Sequence, residues 1–270
     1  MIGIDNFSKP QKIAKTGYEQ LLIRDAIPDI FSHLMKRHVF SYPKDGSHKQ
    51  WIRPRLVILL STGDINQVAS SVAKDLYHPI GRDIIACVLV EEPKRDEFIK
   101  KVHRRLQLMD DRLHTHPNYL RSVKIIKRMN CSTIHIEEFT EADTKKQCGN
   151  ITPGSPIVVL DFPQYYFGDY PPGIITLNSF RNISDAVKLC KREGLKFDTA
   201  SVWSSKLTEC FELVSRLDMP SHFTFNCMTA PFVSLSQYTH TDGMVLIVQN
   251  IRYEILAVNG KLKIVACLVK

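Results

Sequence analysis

The sequence has 270 residues and a formal net charge of +8, with 44% hydrophobic and 24% charged residues. This composition is typical of a globular protein and excludes the disordered, collagen-like and disulfide-scaffold classes. No apolar run approaches the roughly 20 residues of a membrane-spanning helix, and the first ten residues lack the pattern of a signal peptide, so we expect a cytoplasmic protein.

Residues 1–53 are predicted to form a helical extension followed by a polar loop. The stretch from Tyr18 to Val39 is amphipathic, which is typical of a helix. Pro28 divides it, so two short helices or one broken helix are expected. Residues 41–50 follow with the polar, turn-forming composition of a loop.

Between residues 54 and 243, short apolar runs alternate with amphipathic segments. Leu56–Leu60 and Ile84–Val90 predict strands buried on both faces, and Asp64 can cap a helix over Ile65–Tyr77 between them. The other predicted strands are 131–136, 157–160, 174–180, 200–203 and 223–226, and the other predicted helices are 93–109, one after Pro117, 183–193 and 207–217. This alternation favours an α/β fold, in which a mostly parallel sheet carries helices on both faces.

The pattern changes in residues 244–270, which are predicted to form a C-terminal antiparallel β segment of three strands. Asn259-Gly260 is a strong hairpin signal between the last two strands. An exposed hairpin is a place where a second copy of the chain could add its strands. We therefore predict a homodimer through the C-terminal strands.

The seven cysteines are spread along the chain without a Cys-x-x-Cys pair, which argues against a disulfide framework and a structural zinc site. They are expected to be free thiols. His114 and His116 could form half of a metal site on an extended segment, but no third ligand has the spacing of a known motif. We predict a surface loop there and no metal site.

Positive charge is concentrated between Lys94 and Arg128, where eleven Lys and Arg residues accompany only four acidic ones. Such a cluster can neutralise nucleic-acid phosphates or an acidic surface. The residues fall on two predicted helices whose opposite faces are apolar, and no RNA-recognition aromatic motif accompanies them. A solvated helix face is therefore favoured over a nucleic-acid interface.

An aromatic and proline-rich connection occupies residues 163–173. Its rings could line a groove or an interface, or they could cover the core beneath the loop, which we favour. The residues concerned are Tyr165, Tyr166, Phe167 and Tyr170.

Four consecutive segments between Pro172 and Cys227 resemble the C-terminal half of the aldehyde dehydrogenase catalytic domain: PPGIITLNSF, ISDAVKLCKREG, ASVWSSKLTECFELVSRL and FTFNC. Upstream, Pro54–Tyr77 and Gly81–Val102 look like the segments around that family's nucleophile. The resemblance extends to about Tyr238, and the chain is similar to a group of insect proteins of this degenerate type.

The resemblance implies which positions carried the family's chemistry, in which a cysteine thiolate attacks an aldehyde and a glutamate acts as base. It puts Ile84 at the nucleophile, His48 at the base, and Asp169 at the glutamate that binds the cofactor ribose. An isoleucine cannot form a thiohemiacetal. Cys87 is the nearest cysteine, but its apolar neighbours are expected to raise the pKa of its thiol.

About fifty residues precede the region of resemblance, which we expect to be too few for a dinucleotide-binding domain, and no Gly-x-Gly-x-x-Gly motif occurs. We therefore predict a non-catalytic aldehyde dehydrogenase-like protein with an interaction or structural role, without a cofactor. One alternative is an oxidoreductase of that superfamily with a rearranged site at Cys87 or Cys227, using NAD or NADP. The other is binding of nucleic acid or an acidic surface through residues 94–128.

Overall fold

The computed structural model describes the backbone of residues 12–15 and 18–22 and, with their side chains except for residues 111 and 112, residues 51–136, 151–228, 230 and 243–269. Twelve strands from these ranges form one mixed sheet. In chain order the strands are β1 (Lys12–Lys15), β2 (Tyr18–Leu22), β3 (Arg55–Leu59), β4 (Ile85–Glu91), β5 (Thr133–Ile134), β6 (Val158–Leu160), β7 (Ile175–Phe180), β8 (Thr199–Trp203), β9 (His222–Phe225), β10 (Val245–Val248), β11 (Ile251–Val258) and β12 (Lys261–Leu268).

Six α-helices of the described residues connect the strands, and hydrogen bonds from their first turns to a capping side chain explain where two of them begin. Asp64 accepts hydrogen bonds from the backbone N–H groups of Asn66 and Gln67 at 2.9 and 3.1 Å, and Asn182 accepts from that of Asp185 at 3.0 Å, as helix N-caps do. The helices are α1 (Ile65–Tyr77), α2 (Arg95–His103), α3 (Asp111–His114), α4 (Pro117–Met129), α5 (Ile183–Arg192) and α6 (Leu207–Arg216), with 3₁₀ turns at Glu92–Lys94 and Gln164–Phe167. The helix predicted over 93–109 therefore begins as a 3₁₀ turn and ends early, at His103.

The centre of the sheet is parallel, in the order β9-β8-β3-β4-β7-β6. All five residues of β3 and the first six of β4 are buried, as the continuous apolar runs predicted. One apolar cluster packs α5 and α6 on one face, and a second packs α1 and α2 on the other. The predicted α/β fold with helices on both faces is thus confirmed.

The C-terminal strands are antiparallel to one another, as predicted. They are not at an edge of the sheet, however, because β12 lies parallel beside β9 and β10 lies parallel beside β2. The strands at the two ends of the described sheet are β1 and β5. A second copy of the chain cannot add to the C-terminal hairpin by edge pairing unless it displaces β2 or β9.

The helix predicted to begin at Tyr18 is wrong for residues 18–22, which form β2 in an antiparallel pair with β1. Pairing with β10, from the other end of the sequence, satisfies the backbone of β2, and such tertiary pairing overrides a weak local period. The rest of the predicted extension lies outside the described residues. Among the described residues, no helix has the length and hydropathy that crossing a membrane requires.

Candidate functional site

The position at which the resemblance places the nucleophile lies at the start of β4. Ile84 directly precedes this strand and is 7% exposed. Its carbonyl accepts a hydrogen bond from the Arg55 N–H at 2.9 Å, which ties the beginnings of β3 and β4 together. The aliphatic side chain offers neither a nucleophile nor a group that exchanges protons, so this position contributes packing.

Cys87 lies within β4, between Leu56 of β3 and Thr176 of β7. Its side chain has no exposed surface, and its thiol donates a weak hydrogen bond to Glu193 Oε1 at 3.9 Å. Burial raises the pKa of the thiol well above its usual range, and the Glu193 carboxylate raises it further. A thiol that is protonated and buried is a poor nucleophile.

Glu193 is a buried, hydrogen-bonded acidic residue that the sequence analysis did not identify as a candidate site residue. It follows α5 as the C-cap residue and is fully buried. Its carboxylate accepts hydrogen bonds from the Gln164 N–H at 2.6 Å and from Asn178 Nδ2 at 3.2 Å. Burial raises the pKa of Glu193, while the Gln164 hydrogen bond opposes the rise. The only local signal is its place at the end of a helix, which does not reveal that the aromatic loop covers it.

A second buried polar group surrounds Arg55, the first residue of β3. Arg55 is 7% exposed, and its Nε has no hydrogen-bond partner among the described residues. Asp75, in the last turn of α1, accepts a hydrogen bond from the Ile85 N–H at 3.2 Å. Burial raises the pKa of Asp75 and lowers that of Arg55, and the charge of each residue opposes the shift of the other. This arrangement joins α1 to the starts of β3 and β4.

Cys227, the other cysteine considered as a nucleophile, is half-buried and follows β9. Burial raises the pKa of its thiol to about 11, and the nearby Arg55 charge only partly offsets this rise. At neutral pH the thiol is therefore protonated. The six described cysteines are free thiols in the structure.

Asp169, the position of the cofactor-binding glutamate, is exposed on the aromatic loop. The residues after it are held against α4, because Asn118 Nδ2 donates to the Pro171 carbonyl at 2.9 Å and Ser122 Oγ donates to the Pro172 carbonyl at 2.8 Å. These two hydrogen bonds fix the loop to α4 immediately after Asp169. His48, the position of the base, lies outside the described residues.

The two histidines considered as a metal half-site are not on an extended segment. His114 ends α3, and His116 caps α4, where its Nδ1 accepts a hydrogen bond from the Asn118 N–H at 3.2 Å. Within the part of the chain that the structure describes, no group of three or more His, Cys, Asp or Glu side chains could hold a metal ion.

Several solved structures are similar to this chain. They include an NAD-dependent benzaldehyde dehydrogenase from Corynebacterium glutamicum, with 16% identity, a TM-score of 0.47 and coverage of 65% of this chain and 39% of that one. An NADP-dependent glyceraldehyde-3-phosphate dehydrogenase from Bacillus halodurans C-125 has 13% identity, a TM-score of 0.46 and coverage of 67% and 39%. A 1-pyrroline-5-carboxylate dehydrogenase has 11% identity, a TM-score of 0.49 and coverage of 68% and 37%. The chain thus spans about two fifths of the length of these dehydrogenases.

No curated protein sequence matches the chain. A family model described as "Protein of unknown function (DUF1487)" matches residues 50–269, which is most of the chain. The match includes every described strand from β3 onward. The chain belongs to the DUF1487 family.

Proposed function

We propose that this protein is an aldehyde dehydrogenase-like protein that does not oxidise aldehydes and that acts by binding partners. The observation that carries the proposal is the burial of the Cys87 thiol beside the Glu193 carboxylate, with both side chains fully buried. The isoleucine at position 84 adds support, because it replaces the family's nucleophile with a packing residue. The segments that resemble the family are those that build the sheet and its helices.

The proposal predicts that the purified full-length protein will not reduce NAD or NADP in the presence of aliphatic or aromatic aldehydes. It also predicts that a thiol reagent will label Cys227 faster than Cys87 in the native protein, because Cys227 is half-buried and Cys87 is fully buried. Absorbance of the reduced cofactor and mass spectrometry of labelled peptides measure the two outcomes.

Cys87→Ala and Cys210→Ala are matched variants, since both remove a buried thiol from the same apolar cluster. The absence of turnover in the wild type and in both variants would agree with the proposal. Cofactor-dependent turnover that disappears in Cys87→Ala and persists in Cys210→Ala would overturn it in favour of a rearranged oxidoreductase.

We also propose that a second copy of the chain is one partner, and that it contacts the exposed side chains of the C-terminal strands. Three apolar residues support this surface: Leu262, Leu268 and Val269 are 37%, 57% and 44% exposed. Leu268 and Val269 are adjacent at the end of β12, and adjacent exposed apolar side chains are typical of interaction sites. Because both edges of these strands are paired within the chain, the contact would use their side chains and not backbone pairing.

The dimer proposal predicts that Leu268→Glu lowers the mass measured by size-exclusion chromatography with light scattering from that of a dimer to that of a monomer. A charge on the contact surface must be desolvated when the second copy binds, which opposes association. Leu108→Glu is the matched control, because Leu108 is 54% exposed and lies elsewhere. A monomeric wild-type protein would contradict the proposal.

A further inference from the structure

The exposed face of α4 carries four cations and no acidic residue. The helix reads PNYLRSVKIIKRM, and its inner face packs through Tyr119, Ser122 and Ile126. The exposed cations, which we name the basic face, are Arg121, Lys124, Lys127 and Arg128. At about 1.5 Å per residue the basic face is about 10 Å long, and none of its cations forms an ion pair with a described residue.

The neighbouring basic helix α2 differs, because its charges are largely neutralised. Glu97 lies 3.5 Å from the ammonium groups of both Lys94 and Lys101. Arg95 pairs with Asp161 at 2.7 Å. Lys100 and Arg104, at and just after the end of α2, are exposed and form no ion pair with a described residue. The unneutralised charge of residues 94–128 therefore lies on α4 and at the end of α2.

A loop from a distant part of the sequence carries three tyrosines, one of which lies beside the basic face. Tyr165 and Tyr166 stack with their ring centroids 4.3 Å apart and their planes 29° apart, and they are 47% and 46% exposed. Tyr170 lies next to α4, where the Arg121 guanidinium carbon is 5.0 Å from the centre of its ring. We name these three residues the tyrosine ledge.

The packing of the loop holds the tyrosine ledge in place. The Asn118 and Ser122 side chains fix the Pro171 and Pro172 carbonyls to α4. At the other end of the loop, Tyr165 packs beside Gly194, after α5, and lies near the exposed Arg192. The loop therefore runs from the side of Arg192 of α5, where Tyr165 lies, to the side of Arg121 of α4, where Tyr170 lies.

We propose that the basic face and the tyrosine ledge together bind single-stranded nucleic acid. The cations would neutralise backbone phosphates, and unpaired bases would stack on the rings of Tyr165 and Tyr166, which is the combination that such sites use. An acidic peptide would use the charges alone, so the exposed stacked pair favours nucleic acid. This inference goes beyond the lack of aldehyde oxidation and does not depend on it.

The solvated-face interpretation of residues 94–128 rested on the lack of an aromatic motif within that segment. Rings are supplied instead by Tyr170, which the tertiary fold brings to α4, and by the stacked pair that precedes it on the same loop. The basic face is about as long as three stacked nucleotides at about 3.4 Å each, so a short oligonucleotide is a sufficient ligand.

The test measures fluorescence anisotropy of a labelled single-stranded oligonucleotide of about 12 nucleotides, titrated with the full-length protein over a range of salt concentrations. Three double variants are compared with the wild type. Lys124→Glu with Arg128→Glu reverses the basic face, and Tyr165→Ala with Tyr166→Ala removes the stacked pair. Lys74→Glu with Lys261→Glu is the control, because it reverses two exposed charges on α1 and β12.

We expect wild-type affinity to fall as salt rises, and the charge reversal to weaken binding at least about tenfold and to flatten the salt dependence. The tyrosine variant should lose about fivefold or more for each stacked base, whereas the control should bind like the wild type. Circular dichroism of each variant verifies that it is folded.

Competition with poly-glutamate, with a duplex of the same sequence and with phosphatidylserine vesicles identifies the class of ligand. Stronger competition by unlabelled single strands than by the other three supports the proposal. It is overturned if the wild type shows no salt-dependent binding, if the control loses as much affinity as the basic-face variant, or if the tyrosine variant binds normally while the other polyanions compete equally.

Discussion

Lys263→Met should lower the free energy of unfolding by about 2–4 kcal/mol. Lys263 lies on β12 and is 2% exposed. Its ammonium donates to the Val214 carbonyl at 2.5 Å and to the Leu217 carbonyl. These carbonyls belong to the end of α6, where no further helical N–H group is available. Methionine keeps the length of the side chain but leaves both acceptors buried without this donor.

The expected loss is smaller than the sum of two unpaired acceptors, because the variant also removes a buried charge. Burial lowers the pKa of Lys263, and Asp218 opposes that shift. The cost of desolvating the ammonium therefore offsets part of the free energy that its hydrogen bonds contribute. Urea unfolding followed by circular dichroism measures the change. The control is Lys261→Met, an exposed lysine of the same strand, and an equal loss in the two variants would contradict the assigned role.

Many of the helices and strands can be predicted from signals that are local in the sequence. The apolar runs of β3 and β4 and the side chains that cap α1 and α5 each act over a few residues, so they predict their elements directly. The order of the strands is different. Pairing of β12 with β9, and of β10 with β2, joins residues far apart in sequence, and nothing local in Tyr18–Leu22 predicts a strand.

The residues of the candidate sites likewise divide into those that local sequence predicts and those that depend on the tertiary fold. The resemblance located Ile84 and Cys87, and the apolar neighbours of Cys87 correctly predicted its raised thiol pKa. Glu193 could not be found in this way, because a glutamate at the end of a helix is usually solvated. Its burial depends on the 3₁₀ turn that begins at Gln164, and this turn belongs to a separate segment.

The second large effect that we expect concerns Glu193 and depends on pH. Burial raises its folded-state pKa above the ordinary value of 4.5. The stabilisation that arises from this shift is complete below the unfolded-state pKa and is lost as the pH rises through the folded-state pKa. Glu193→Gln removes the titration while keeping an acceptor for the Gln164 N–H. The variant should therefore gain stability relative to the wild type as the pH rises above the unfolded-state pKa, by at most about 1.4 kcal/mol per pH unit.

Glu193→Leu separates the effect of charge from that of hydrogen bonding. It leaves the Gln164 N–H and Asn178 Nδ2 buried without their acceptor. It should therefore lower the free energy of unfolding by about 2–5 kcal/mol at every pH at which Glu193→Gln remains folded. Urea unfolding at a series of pH values gives both differences, and Glu92→Gln, at an exposed position, controls for the general effect of removing a carboxylate. A difference between Glu193→Gln and the wild type that is constant from pH 5 to about pH 8 would show that Glu193 does not titrate in this window. The protonated state of Cys87 would stand in that case, because burial is the largest cause of its raised thiol pKa and a charged Glu193 carboxylate raises it further.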